Sequence, residues 1–234
     1  MTELARCCLS ANDEGHLLDH APQVFDLVWR FDFTEPGFAA LELPAETDSH
    51  LLRSWMVALK RRLSEIAIRD GREPLAFKSM GRFNQQETTK FHLDGAPDRS
   101  FLMLGYEPSK IHGRLFLADY TRAAFDLGIT PQAFLVDWNP MYRRGEEVLK
   151  PYVTELPRAG EGRARILLIN NSSLPFSEAR TNTLGVMHKA IVEAPDEGEQ
   201  RIVNSTMLAA GADDELSDER QRDFVNTDRI SQKV

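Results

Sequence analysis

The chain has 234 residues, 42% hydrophobic and 27% charged, a balance that fits a folded globular protein and excludes a disordered or fibrous one. Its net charge of −8 sets the overall field against phosphate backbones and anionic lipid, which argues against nucleic acid as a partner. No run of about 18 apolar residues occurs, and Glu3, Asp13, Glu14 and Asp19 break up the start of the chain, so neither a membrane span nor a signal peptide is expected.

Residues 1–21 show no clear period and read as an irregular lead-in. Cys7 and Cys8 are adjacent, a spacing that rarely reaches disulfide geometry, and a reducing, cytoplasmic setting is expected. From Gln23, the residues Phe25, Leu27, Trp29, Phe31 and Phe33 alternate with polar ones, which predicts a half-buried strand. After a turn at Glu35, Pro36 and Gly37, residues 37–44 read as a second short strand. Thr47, Asp48 and Ser49 then offer capping oxygens to a helix whose Leu52, Trp55, Leu59, Leu63 and Ile66 share one face, with Gly71 as its stop. The basic cluster Lys60, Arg61 and Arg62 on that helix reads as a solvated face.

Residues 75–84 predict a strand, followed by a polar loop and a second strand at 101–106. After a turn at Pro108, residues 114–119 read as the partner of that strand. Residues 121–127 and 130–136 predict short helices, the latter with Pro131 at its first position, and 145–152 a weak helix or loop. Strands return at 165–170, 183–194 and 201–209. The last two are joined by Pro195, Asp196, Glu197, Gly198 and Glu199, which predicts a hairpin. The polar tail 210–234 carries Asp213, Asp214 and Glu215 and reads as solvated or weakly docked, with a short helix at 217–225. The whole is a single domain, 1–234, mainly β with flanking helices.

His92 and Asp94 lie two residues apart in extended chain, so an imidazole and a carboxylate point the same way. His188 sits in a late strand, and Arg201 follows by 13 residues. Each has a plain reading alone: a core histidine, a turn-forming Asp before Gly95, a surface arginine. Together, two imidazoles and one carboxylate form the facial triad that leaves three positions open on Fe(II).

The order His-x-Asp, late His, then Arg resembles the Fe(II)/2-oxoglutarate-dependent oxygenases, over roughly residues 75–209. The resemblance implies a double-stranded β-helix (jelly roll, cupin-like) core at 75–209, with N-terminal strands and helix at 23–70. It implies His92, Asp94 and His188 as catalytic metal ligands, 2-oxoglutarate held by Arg201, and dioxygen and a small organic molecule as further substrates. Val203 stands where family members often have a hydroxyl, and Phe83 where many have a hydrogen-bonding side chain, so Asn84 or Arg82 is expected to contact the cosubstrate. The substrate is expected over the open metal face, near the inserted region 120–152 and the loop at 97–100. Trp138, Tyr142, Arg143 and Arg144 there could offer an aromatic wall and an anion contact, but Trp138 reads first as packing and the arginines as solvent-facing. A cupin-like metal protein without 2-oxoglutarate and a non-catalytic jelly-roll module are the alternatives. Oligomeric state is not legible.

Overall fold

The structure is a computed structural model and describes residues 3–160, 162–211 and 216–231. Asp213, Asp214 and Glu215 lie outside the described residues. Two sheets form its centre. The larger runs β1(Cys8–Ser10), β2(Phe38–Glu42), β7(Arg165–Asn170), β4(Ser100–Tyr106), β9(Ile202–Ala210), β3(Leu75–Asn84), antiparallel except for the β1/β2 pair. The smaller runs β6(Val153–Glu155), β5(Gly113–Ala118), β8(Met187–Val192).

Helix α4(Ser49–Arg69) covers the outer face of the large sheet. Asp48 caps it by accepting the Leu51 N–H, and Leu52, Trp55, Met56, Leu59, Leu63 and Ile66 enter the core. Gly71 follows its end at φ +73°, as a left-handed C-terminal stop requires. Gly105 on β4 lets Met56 close onto the strand, because a Cβ there would collide with the Met56 sulfur.

Several expectations are corrected. Residues 21–28 form α3(Ala21–Val28) rather than a strand. Pro22 presets the first turn, and Val24, Leu27 and Val28 at i, i+3 and i+4 are buried, so helical burial wins over the alternating pattern. The lead-in is also structured, as α1(Glu3–Cys7), β1 and α2(Glu14–Asp19), with Asp13 accepting the His16 N–H.

Strand β5 does not pair with β4. It belongs to the small sheet beside β8, while β4 sits between β7 and β9. The expected β8/β9 hairpin is absent as well: the two strands lie in different sheets. Gln86 takes over the turn between them, donating to Asp196 O and Glu199 O and accepting the Asp196 N–H. The tail docks. In α8(Asp218–Asn226), Gln221 and Phe224 are buried, and Arg53 of α4 donates to Val225 O and Thr227 O.

Between β5 and β6 the chain forms α5(Tyr120–Asp126), α6(Pro131–Asp137) and α7(Arg143–Leu149). These pack their own small apolar cluster, centred on Tyr120, Phe134 and Leu149, against Phe91 and Met187.

Candidate metal centre

His92 lies in the loop after β3, and His188 is the second residue of β8. Each backbone N–H donates to the other's carbonyl at 3.1 Å, so the two residues face each other as an isolated antiparallel pair. Directly opposed residues project to the same side, which explains ring centroids only 4.2 Å apart. Asp94 reaches the same point: its Oδ1 is 3.4 Å from His92 Nε2 and 3.9 Å from His188 Nε2. One ligand atom from each of the three lies within 4.8 Å of the others, as the sequence expectation requires.

Asn171, which the sequence did not single out, holds the loop. Its Oδ1 accepts the Asp94 N–H and its Nδ2 donates to Asp94 O, both at 3.0 Å, while Nδ2 also reaches Ser100 Oγ. A buried amide paired with the peptide of residue 94 fixes the main chain from which the Asp94 carboxylate projects. No local pattern marks Asn171, because its role depends on a partner 77 positions away.

The charge states suit metal binding. His92 Nδ1 lies 2.7 Å from Lys90 O, a carbonyl that can only accept, so in the neutral ring this nitrogen carries the proton and Nε2 keeps its lone pair. The contact with Asp94 raises the His92 pKa above 6.5, against burial. Burial would raise Asp94, but the hydrogen bond from His92 and the nearby imidazoles prevail and hold it below the usual carboxylate value. His188 is pulled down to about 4 by burial and by His92, outweighing Asp94, and is therefore neutral near pH 7. Its Nδ1 is buried without a hydrogen-bond partner among the described residues.

A pH dependence follows. A metal must displace the proton from His92 below that residue's raised pKa, whereas His188 competes only near pH 4. Divalent-metal affinity of the free protein is expected to fall as pH drops from 8 to about 5, with about one proton released per metal. Calorimetry in buffers of different ionisation enthalpy measures that number; a pH-independent affinity with no proton released would contradict the assignment of His92.

A cavity of about 180 Å³ opens beside the triad, between the sheets. Its large-sheet wall is Phe83, Leu104, Tyr106, Val203 and Ser205, and its small-sheet wall is His188 and Ala190. Register explains the grouping: Phe83, Val203 and Tyr106 lie side by side on β3, β9 and β4. Arg201, buried at 6% exposure, also lines the cavity. It donates to Gln85 O, packs over the Tyr106 ring at 5.3 Å, and has no carboxylate partner among the described residues. Burial pushes the Tyr106 hydroxyl pKa up to about 12, so it stays protonated.

Arg82 and Asn84 do not line this cavity. They fall on the opposite parity of β3 from Phe83, so the pleat turns them away. Arg82 forms a two-pronged ion pair with Glu107 and donates to Asp228 O, while Asn84 Oδ1 accepts the backbone N–H of Arg201. Gln85, Thr89 and Ser205 are uncharged polar residues that reach the cavity instead.

Trp138, Tyr142, Arg143 and Arg144 also lie outside the cavity lining, and Arg144 stacks 4.1 Å from the Trp138 ring. Their helical segment is nonetheless tied to the site. Lys90 donates to Met141 O at 2.6 Å and Lys189 pairs with Glu146 at 2.7 Å, one contact beside each histidine.

No family model and no curated protein matches the chain. Among solved structures, a variant of the iron and alpha-ketoglutarate-dependent endoperoxidase NvfI is similar over 82% of this chain and 81% of its own. The identity is 12% and the TM-score 0.39, values that establish neither a shared family nor a shared function.

Proposed function

We propose that the chain is an Fe(II)- and 2-oxoglutarate-dependent oxygenase that hydroxylates a small organic substrate, built on a double-stranded β-helix from the two sheets. The observation that carries this reading is the convergence of His92, Asp94 and His188 at a cavity between those sheets, with Arg201 buried in the same cavity. Two imidazoles, that of His92 once a metal displaces its proton, and one carboxylate suit Fe(II) and leave positions open for substrates.

When bound, iron and 2-oxoglutarate supply the oxidising chemistry, in which dioxygen converts the keto acid to succinate and CO2 as a substrate C–H bond is oxidised. The chain's part is orientation and exclusion of water. Asp94, ionised and anchored through Asn171, provides the charge of the triad. Arg201 meets the far carboxylate of 2-oxoglutarate, a geometry its planar fork matches. An arginine this buried ordinarily has an acid beside it, and among the described residues Arg201 has none. Phe83, Leu104 and Val203 keep that end of the cavity dry. A volume of about 180 Å³ is roughly six waters' worth, enough for a compact dicarboxylate and below the ~300 Å³ of sites for larger ligands. The substrate therefore sits toward α5–α7.

Anaerobic titration tests the reading without knowing the substrate. Fe(II) followed by 2-oxoglutarate is expected to produce a visible metal-to-ligand charge-transfer band. Arg201→Ala should retain Fe(II) and weaken 2-oxoglutarate by about 10- to 100-fold, the worth of a charge-assisted hydrogen bond. Metal uptake without the band would favour a cupin-like protein, and no metal uptake would favour a binding module.

A further inference from the structure

We propose that a second cavity, walled by Arg158, Arg163, Arg165 and Arg201, binds a small oxyanion: the phosphate or carboxylate group of a compact metabolite. It measures about 290 Å³ and lies between the β4–β5 connection and residues 156–160 and 162–165. Tyr106 and Arg201 line both cavities and so form the partition between them. None of His92, Asp94 and His188 lines the second one; it shares Arg201 with the oxygenase reading but rests on Arg165, which that reading does not use.

The sheet register delivers Arg165 to this place. It pairs with Tyr106, which pairs in turn with Val203, so Arg165 projects from the same face as the residues around the metal cavity. Arg165 is 6% exposed, and its charge is poorly compensated. Nη1 donates to Pro157 O, Nη2 stays 3.8 Å from Glu42, and Nε is buried with no partner among the described residues. Burial pulls its pKa down, only partly offset by Cys8 and Glu42.

Among the described residues the nearby acids are already shared with Arg158, Arg163 and the arginines of α4 and β3. Glu42 accepts the Gly160 N–H and lies 3.5 Å from Arg163, Glu193 pairs with Arg158, and Glu107 is held by Arg82 and Arg53. Among the described residues Arg165 therefore has one acid, at 3.8 Å, and Arg201 has none, and a buried guanidinium short of a close acid is costly. Among the described residues, that leaves the place open to an anion from outside.

The shape agrees. Gly113 keeps one side of Arg201 clear, since a Cβ there would stand 3.1 Å from Nη2 and 3.2 Å from Nε. Arginine forks match planar or tetrahedral oxyanions with paired hydrogen bonds. The volume is about ten waters' worth, which suits a compact metabolite and not a polymer.

Calorimetric titration of the full chain with inorganic phosphate, and separately with citrate, tests this at pH 7 in a buffer free of both. Saturable one-site binding of at least one probe is expected, and the tighter probe identifies the preferred oxyanion. Arg165→Gln should weaken it by about tenfold or more, and so should Arg163→Ala, a half-exposed position where folding is not at stake. Asp94→Ala should bind as the unaltered chain does. No saturable binding of either probe, unchanged affinity in both arginine variants, or loss of binding in Asp94→Ala would each overturn the proposal.

Discussion

Replacing Asp94 by alanine is expected to abolish iron-dependent conversion of 2-oxoglutarate to succinate while leaving the fold intact. The fold survives because Asn171 grips the main chain of residue 94, not its side chain. The site does not survive, because the triad loses its only anion and two neutral imidazoles remain. Changes around metal ligands alone cost about 10- to 100-fold in affinity, so loss of the charged ligand is expected to exceed ~100-fold. Iron content after dialysis and succinate release measure the effect beside an unchanged melting temperature. Retained iron with succinate released at the unaltered rate would remove Asp94 from the site.

The largest effect on stability is expected from Glu107→Ala, at roughly 3–5 kcal/mol, a large part of the ~5–15 kcal/mol that holds a typical domain folded. Glu107 Oε1 accepts from Ser49 Oγ at 2.6 Å and from Arg82 Nε and Asn204 Nδ2 at 3.0 Å, and Oε2 accepts from Arg82 Nη2 at 3.0 Å. Arg53, fully buried, lies 3.4 Å away and also donates to Ser49 Oγ. Without the carboxylate, two guanidiniums stay buried with no acid between them. They also hold the C-terminal segment, through Val225 O, Thr227 O and Asp228 O, so that segment should exchange its amide hydrogens faster. Urea unfolding should show a lower midpoint with an unchanged slope; a shift under ~1 kcal/mol would refute the network's importance.

The same carboxylate predicts an acid limit. Burial would raise the Glu107 pKa, but Arg82, Ser49 and Asn204 outweigh it and the folded value lies below 4.5. A depressed folded pKa contributes stability that is present above the unfolded value and is lost as pH falls through the folded one. The chain should therefore lose this contribution below about pH 4.5, and Glu107→Gln should lose less between neutral and acid pH than the unaltered chain does.

What could be read in advance was local. The His-x-Asp spacing, the capping of α4 by Asp48 and the strands around Leu102, Leu167 and Leu208 follow from parity and period within one segment. Pairing was not local. The run from Pro195 to Glu199 has the composition of a hairpin turn, yet Gln86, more than 100 positions away, binds it and lets β8 and β9 go to different sheets. Residues 21–28 carried two periods at once, and burial of Val24 and Val28 decided for the helix. Arg82 and Asn84 have the hydrogen-bonding capacity, but strand parity gives the cavity face to Phe83. Asn171 and Arg165 meet their partners only through contacts distant in sequence, which no window of sequence contains.

The triad assignment is tested most directly by determining the structure of the protein loaded anaerobically with Fe(II) and 2-oxoglutarate. Metal density is expected within bonding distance of one nitrogen each from His92 and His188 and an Asp94 oxygen, with the far carboxylate of 2-oxoglutarate against Arg201. Density for iron elsewhere, or none at these three residues under saturating metal, would contradict it.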